Sequence, residues 1–179
     1  MYGVHKSYLH VRQDAGFSLL ELLIALTVVV TLVSAAAPSF NNVLESNKIR
    51  RLAIDIERLL AQAKSEAVMR GEDITVETVD VGFSSAVNTA PDWLIRAKTS
   101  SGNEVIAQVS GDQFPSLSFY MTFTKDTIGF DSMTGRPELS GSFVFSVGGR
   151  ESVRVKTNLM TGRLYVCSEN GGYGYGICS

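Results

Sequence analysis

The chain has 179 residues, room for one modest globular domain and an anchor. It is 45% hydrophobic and 19% charged with a formal net charge of −2, a balance that does not suggest a generic polyanion binder. Both histidines, His5 and His10, precede Gly16, so a chain cleaved there has no imidazole, which excludes Ser/His and Cys/His catalysis and most transition-metal sites.

The first element is Phe17–Ala37, FSLLELLIALTVVVTLVSAAA. Its 21 residues carry a single charge, Glu21, and match the roughly 20 residues that cross a hydrocarbon core about 30 Å thick. Twelve are Leu, Ile, Val or Phe, each favouring insertion by about 0.3–0.6 kcal/mol near the helix centre. Together they outweigh one carboxylate a turn from the end, so the segment is expected to insert. Three readings compete. A secretory signal peptide needs a small-x-small cleavage site at its far end, which Ser34–Ala37 could supply. A plain signal anchor offers no reason for an acid inside the apolar run. Cleavage after Gly16 does: Phe17 then carries the new amino terminus, and Glu21, one helical turn along, is placed to pair with an ammonium of a neighbouring copy. Charge alone leaves the orientation open, because Lys48, Arg50 and Arg51 lie beyond the other end of the span.

The run Gly16-Phe17-Ser18-Leu19-Leu20-Glu21 ahead of an uninterrupted apolar helix resembles the class III signal sequence of type IV pilins and type II secretion pseudopilins. The pattern is Gly, cleavage, aromatic, hydroxyl residue, two apolar residues, Glu. The resemblance implies that residues 1–16 are a leader, that a prepilin peptidase cuts between Gly16 and Phe17 and methylates the Phe17 amine, and that Glu21 helps the subunit join a growing fibre. It also implies the orientation: inner membrane at residues 17–37, globular part in the periplasm before assembly, pilus fibre afterwards. In the leader, Asp14 and Ala15 stand where a basic residue is often found. Loss of the leader takes Lys+Arg from 16 to 14 and Asp+Glu from 18 to 17, leaving a net charge of −3.

Residues 38–71 resume helical periodicity. Pro38 removes one helical hydrogen bond and is expected to kink the helix. Ile49, Leu52, Ile56, Leu59, Ala63 and Ala67 then share one face, with Arg50, Arg51, Asp55, Glu57, Arg58, Lys64 and Glu66 on the other. Gly71 is the expected stop.

From residue 72 to 179 the period changes to 2. Strands are expected at Ile74–Val81, Trp93–Ala97, Val105–Val109, Ser118–Phe123, Thr127–Phe130, Phe143–Val147, Ser152–Thr157 and Arg163–Cys167. Turn signals between them include Thr134-Gly135-Arg136-Pro137, Gly148-Gly149 and Thr161-Gly162. A long helix on antiparallel strands is an α+β architecture. Trp93 reads as core or subunit contact rather than a ligand platform. Cys167 and Cys178 are the only cysteines. In an oxidising compartment they are expected to pair, a short-loop closure of about 3 kcal/mol; in a reducing one they stay free thiols. The tail 169–176, ENGGYGYG, holds too much glycine to order itself.

The globular half resembles the GspH/FimT-like branch of minor pilins. The resemblance lies in LLAQAKSEAVMRG (59–71), the Trp93 strand, IGFDSMTG (128–135) and the Gly162-Arg163 strand, and the cysteine-closed tail resembles FimU-type pilins. It implies a type IV pilin-like fold and a minor pilin that helps start assembly at or near the fibre tip. The implied partners are the prepilin peptidase, other minor pilins, the major pilin, a tip adhesin and the inner-membrane assembly platform, with a type II secretion pseudopilin as the alternative. No cofactor, metal or catalytic residue is expected. Some FimT-like members bind DNA through a C-terminal Gly-Arg-x-Arg motif. Here Gly162-Arg163-Leu164-Tyr165 lacks the second Arg, so DNA binding through Arg150, Arg154, Lys156 and Arg163 is the less favoured reading.

Overall fold

The computed structural model describes residues 16–83, 87–102 and 104–179, without the side chains of 35–39. All of the leader expected at 1–16 except Gly16 lies outside the described residues. The chain divides into two units, Met1–Asn41 and Asn42–Ser179.

In the first unit helix α1 (Leu19–Arg70) begins, and its bounds run through Pro38 without a break. Phe17, Leu20, Leu26 and Leu32 are all more than half exposed, an apolar surface on every side of the helix. Among the described residues no helix is long and apolar enough to cross a membrane. The described side chains of the apolar run end at Ser34, short of the about 20 residues a span needs.

In the second unit the rest of α1 meets two sheets. One has four strands in the order β4-β3-β1-β6: β1 (Ile74–Val79), β3 (Leu94–Thr99), β4 (Val105–Ser110) and β6 (Thr127–Phe130). The other has five, in the order β2-β5-β7-β8-β9: β2 (Gly82–Phe83), β5 (Leu117–Met121), β7 (Gly141–Val147), β8 (Val153–Thr157) and β9 (Leu164–Ser168). Pairing is antiparallel throughout except for β2 with β5, which are parallel; the expectation of purely antiparallel sheets is corrected there. β2 is two residues long, too short to carry a period-2 pattern.

One core joins these parts. The stripe Ile49, Leu52, Ile56, Leu59, Ala63 and Ala67 is buried against inward side chains of both sheets, including Val76, Ile95, Ile128, Phe119, Phe145 and Val155. Trp93 lies inside it, with ring centroids 4.4 Å from Phe119 and 6.3 Å from Phe114. The helix ends as expected of glycine at this position: Gly71 takes φ +63°, and the Glu72 N–H reaches back to the Ala67 carbonyl at 3.3 Å. The α+β architecture inferred from the sequence, a long helix packed on sheets, is the one observed.

Candidate functional site

At the start of α1, Ser18 is the N-cap: its Oγ accepts the Glu21 N–H at 3.1 Å. Further along, Thr27, Thr31 and Ser34 donate their hydroxyls to the carbonyls of Ile24, Val28 and Val30, each at 2.8 Å. A helix in an apolar setting satisfies hydroxyls in this way. That leaves the Glu21 carboxylate as the one polar side chain of 18–34 with no partner among the described residues. Gly16 and Phe17 are exposed, and a Cβ at Gly16 would meet nothing within 4 Å.

At the other end, Cys167 and Cys178 form a disulfide with Cα atoms 5.0 Å apart, as expected of an exported chain. The tail it closes is more ordered than its glycine content suggested. Glu151 is the reason, and sequence reasoning missed it. Its Oε1 accepts the N–H groups of Asn170 (2.7 Å) and Gly172 (2.9 Å) and the hydroxyl of Ser168. The Ser168 hydroxyl, followed by the Gly172 and Asn170 amides, holds the Glu151 carboxyl below its ordinary range. No sequence motif flags this contact, which joins the start of β8 to a loop about twenty residues on. Tyr173 and Tyr175 pack against the core, and burial pushes both phenols up.

The four cations singled out for DNA do not form one patch. Arg150 is tied to α1: its Nη1 donates to Asn42 Oδ1 at 2.8 Å and lies 3.0 Å from Glu45 Oε2. Lys156 and Arg163 do converge on Tyr165, with the Lys156 Nζ also donating to the Ser179 main-chain oxygen at 2.9 Å. The Lys156 Nζ is 5.3 Å and the Arg163 Cζ 5.9 Å from the Tyr165 ring centroid. Arg154 sits two residues before Lys156, half-buried on the same face of β8. The Gly162-Arg163 turn is held from the helix, because Lys64 Nζ donates to the Gly162 carbonyl at 2.8 Å while Gly162 takes φ +64°. IGFDSMTG serves the fold: Asp131 Oδ1 accepts the Thr134 N–H (2.8 Å) and hydroxyl (2.6 Å), closing the turn after β6.

A family model described as type II transport protein GspH matches residues 52–178. The chain belongs to the GspH family. A second model, the prokaryotic N-terminal methylation motif, matches residues 11–37 of this GspH-family chain and so spans Gly16, Phe17 and Glu21. Two crystal structures of the type IV minor pilin FimU of Pseudomonas aeruginosa (strain PAO1) are similar to it. In space group P21 the identity is 14%, covering 67% of this chain and 88% of that one, with a TM-score of 0.47. In space group P65 the identity is 13%, covering 65% and 90%, with a TM-score of 0.44. No curated protein matches the sequence. The GspH-family chain is a membrane-anchored pilin or pseudopilin of the type IV pilus and type II secretion class, a family of structural subunits rather than enzymes.

Proposed function

We propose that this chain is a minor pilin of the FimU/FimT kind, cut after Gly16 by a prepilin peptidase and methylated on Phe17. It waits in the inner membrane with the globular unit in the periplasm, then joins a type IV pilus at or near its tip. Its partners are the assembly platform, the major pilin, other minor pilins and a tip adhesin. The observation that carries the reading is Glu21. Every other polar side chain in 18–34 is satisfied by its own helix, and an unpaired carboxylate among apolar helices is costly. A methylated amine on a neighbouring Phe17 supplies the missing charge. The disulfide-closed tail favours the FimU kind over a secretion pseudopilin.

Mass spectrometry of the mature amino terminus tests this directly, with a methylated Phe17 expected. Gly16→Ser is expected to leave the leader in place. A native protein that starts at Met1, or that has lost the whole apolar run, sinks the proposal. DNA uptake is the weaker reading, because Arg150 is already engaged and too few cations remain to neutralise many phosphates.

A further inference from the structure

Strand β9 is an edge of the five-stranded sheet, and its two sides are used differently. The Asn158 N–H bonds to the Arg163 carbonyl and the Glu169 N–H to the Ser152 carbonyl, so the odd-numbered residues of this stretch turn their backbone groups toward β8. Leu164, Val166 and Ser168 therefore turn theirs to the free edge. At Ser168 the chain's own tail has already added there: the Ser168 N–H bonds the Gly176 carbonyl, and the Ser168 carbonyl accepts the Cys178 N–H, both at 2.9 Å. This makes a parallel bridge between Ser168 and Ile177. The tail leaves Leu164 and Val166 uncovered, with no backbone partner among the described residues.

An open cleft of about 320 Å³ reaches Val166 on this side, lined in part by Asn158, Arg163, Tyr165, Ile177 and Ser179. Among the described residues, Arg163 is the one charged side chain in its lining. Arg51, Arg70, Arg96, Lys98 and Arg150 each meet a carboxylate. Arg154 and Arg163 meet none among the described residues, while the Lys156 Nζ already donates to the Ser179 main-chain oxygen at 2.9 Å.

We propose that the free edge of β9 is a strand-addition site for an extended peptide segment bearing carboxylates, contributed by another subunit. The incoming backbone continues the sheet at Leu164 and Val166, and its acids face Arg163, which lines the cleft. A polyphosphate chain fits less well: its oxygens meet Arg163, but it has no donors for the Leu164 and Val166 carbonyls. That the segment comes from a fibre neighbour rests on the minor-pilin reading; the edge pairing itself does not.

The test uses the full chain in detergent micelles and amide hydrogen exchange at Leu164 and Val166. The probes are a hexapeptide alternating Glu and Val, the same peptide methylated on its backbone nitrogens, a Lys–Val version and a short DNA duplex. The Glu–Val peptide is expected to slow exchange at both amides by about tenfold or more, and the other three are not. Val166→Pro removes an N–H that β8 does not use, a substitution tolerated on edges. It is expected to keep the disulfide and the circular dichroism spectrum while losing the peptide. Unchanged exchange at millimolar Glu–Val peptide, equal protection by the methylated peptide, or binding of DNA alone overturns the proposal. Each of those outcomes leaves cleavage after Gly16 intact, so failure here is distinct from failure of the pilin reading.

Discussion

The hydroxyl of Ser18 accepts the Glu21 N–H at 3.1 Å, so the residue after Phe17 starts the helix that carries the acid. This is one half of a capping box, in which the N3 acid normally reaches back to the cap. The amide of Glu21 is used by the cap and its carboxylate is not. Cap and charge can therefore be separated. Ser18→Ala is expected to cost the helix start about 1 kcal/mol and to speed exchange of the Glu21 amide, with fibre incorporation retained. Glu21→Ala is expected to leave processing normal and incorporation poor, read by immunoblot of sheared fibres against whole cells. Wild-type incorporation of Glu21→Ala would count against its assembly role.

Glu151 makes the tail sensitive to acid. Its carboxyl is held below the ordinary range in the folded chain, first by the Ser168 hydroxyl. The stability it contributes is therefore complete above the unfolded value of about 4.3 and is lost as pH falls through the folded one. Hydrogen exchange at the Gly172 amide is expected to accelerate as pH drops below about 4, after correction for intrinsic rates. Glu151→Gln is expected to abolish that dependence. A profile identical in the variant rules this origin out.

Replacing Cys167 and Cys178 by serine is expected to cost about 3 kcal/mol or less, measured by urea denaturation. Glu151 still anchors Asn170 and Gly172 in that variant, so the local loss is expected to concentrate at Ile177, whose bridge to Ser168 the disulfide holds in place. Uniform destabilisation without local loosening would contradict this division of labour.

Gly111 lies against the aromatic centre of the core. A Cβ there would sit 2.5 Å from the Pro91 carbonyl oxygen and 2.7 Å from the Trp93 indole nitrogen. A backbone oxygen cannot swing aside, so Gly111→Ala is expected to cost about 1–3 kcal/mol, visible in a thermal melt and in Trp93 fluorescence. A neutral Gly111→Ala would mean that this loop yields more easily than its contacts imply.

Much of the architecture is legible in the amino-acid pattern, because helix and strand periods report burial directly. Thr127–Phe130 was placed at the bounds β6 has, and the stripe from Ile49 to Ala67 is the buried face of α1. The division into two sheets was not legible, since periodicity marks a buried face without naming the strand beside it. The cap at Ser18 could have been found from Ser-x-x-Glu, a signal overshadowed by the cleavage pattern on the same residues. Long-range polar contacts left no trace. Arg150 meets Asn42 across 108 positions, and nothing local distinguishes it from Arg154, which has no acid partner among the described residues.

The grip of Arg150 on Asn42 and Glu45 has a practical consequence for anyone trimming this protein for study in water. The second unit begins at Asn42, and its first residues are already fastened to the turn after β7. A fragment starting a few positions later would strip that arginine of its acid and bring the raw cut close to Ile49, the first fully buried residue of the stripe. A shortened version should therefore begin no later than Asn42, and losses seen with shorter ones should first be traced to a damaged fold.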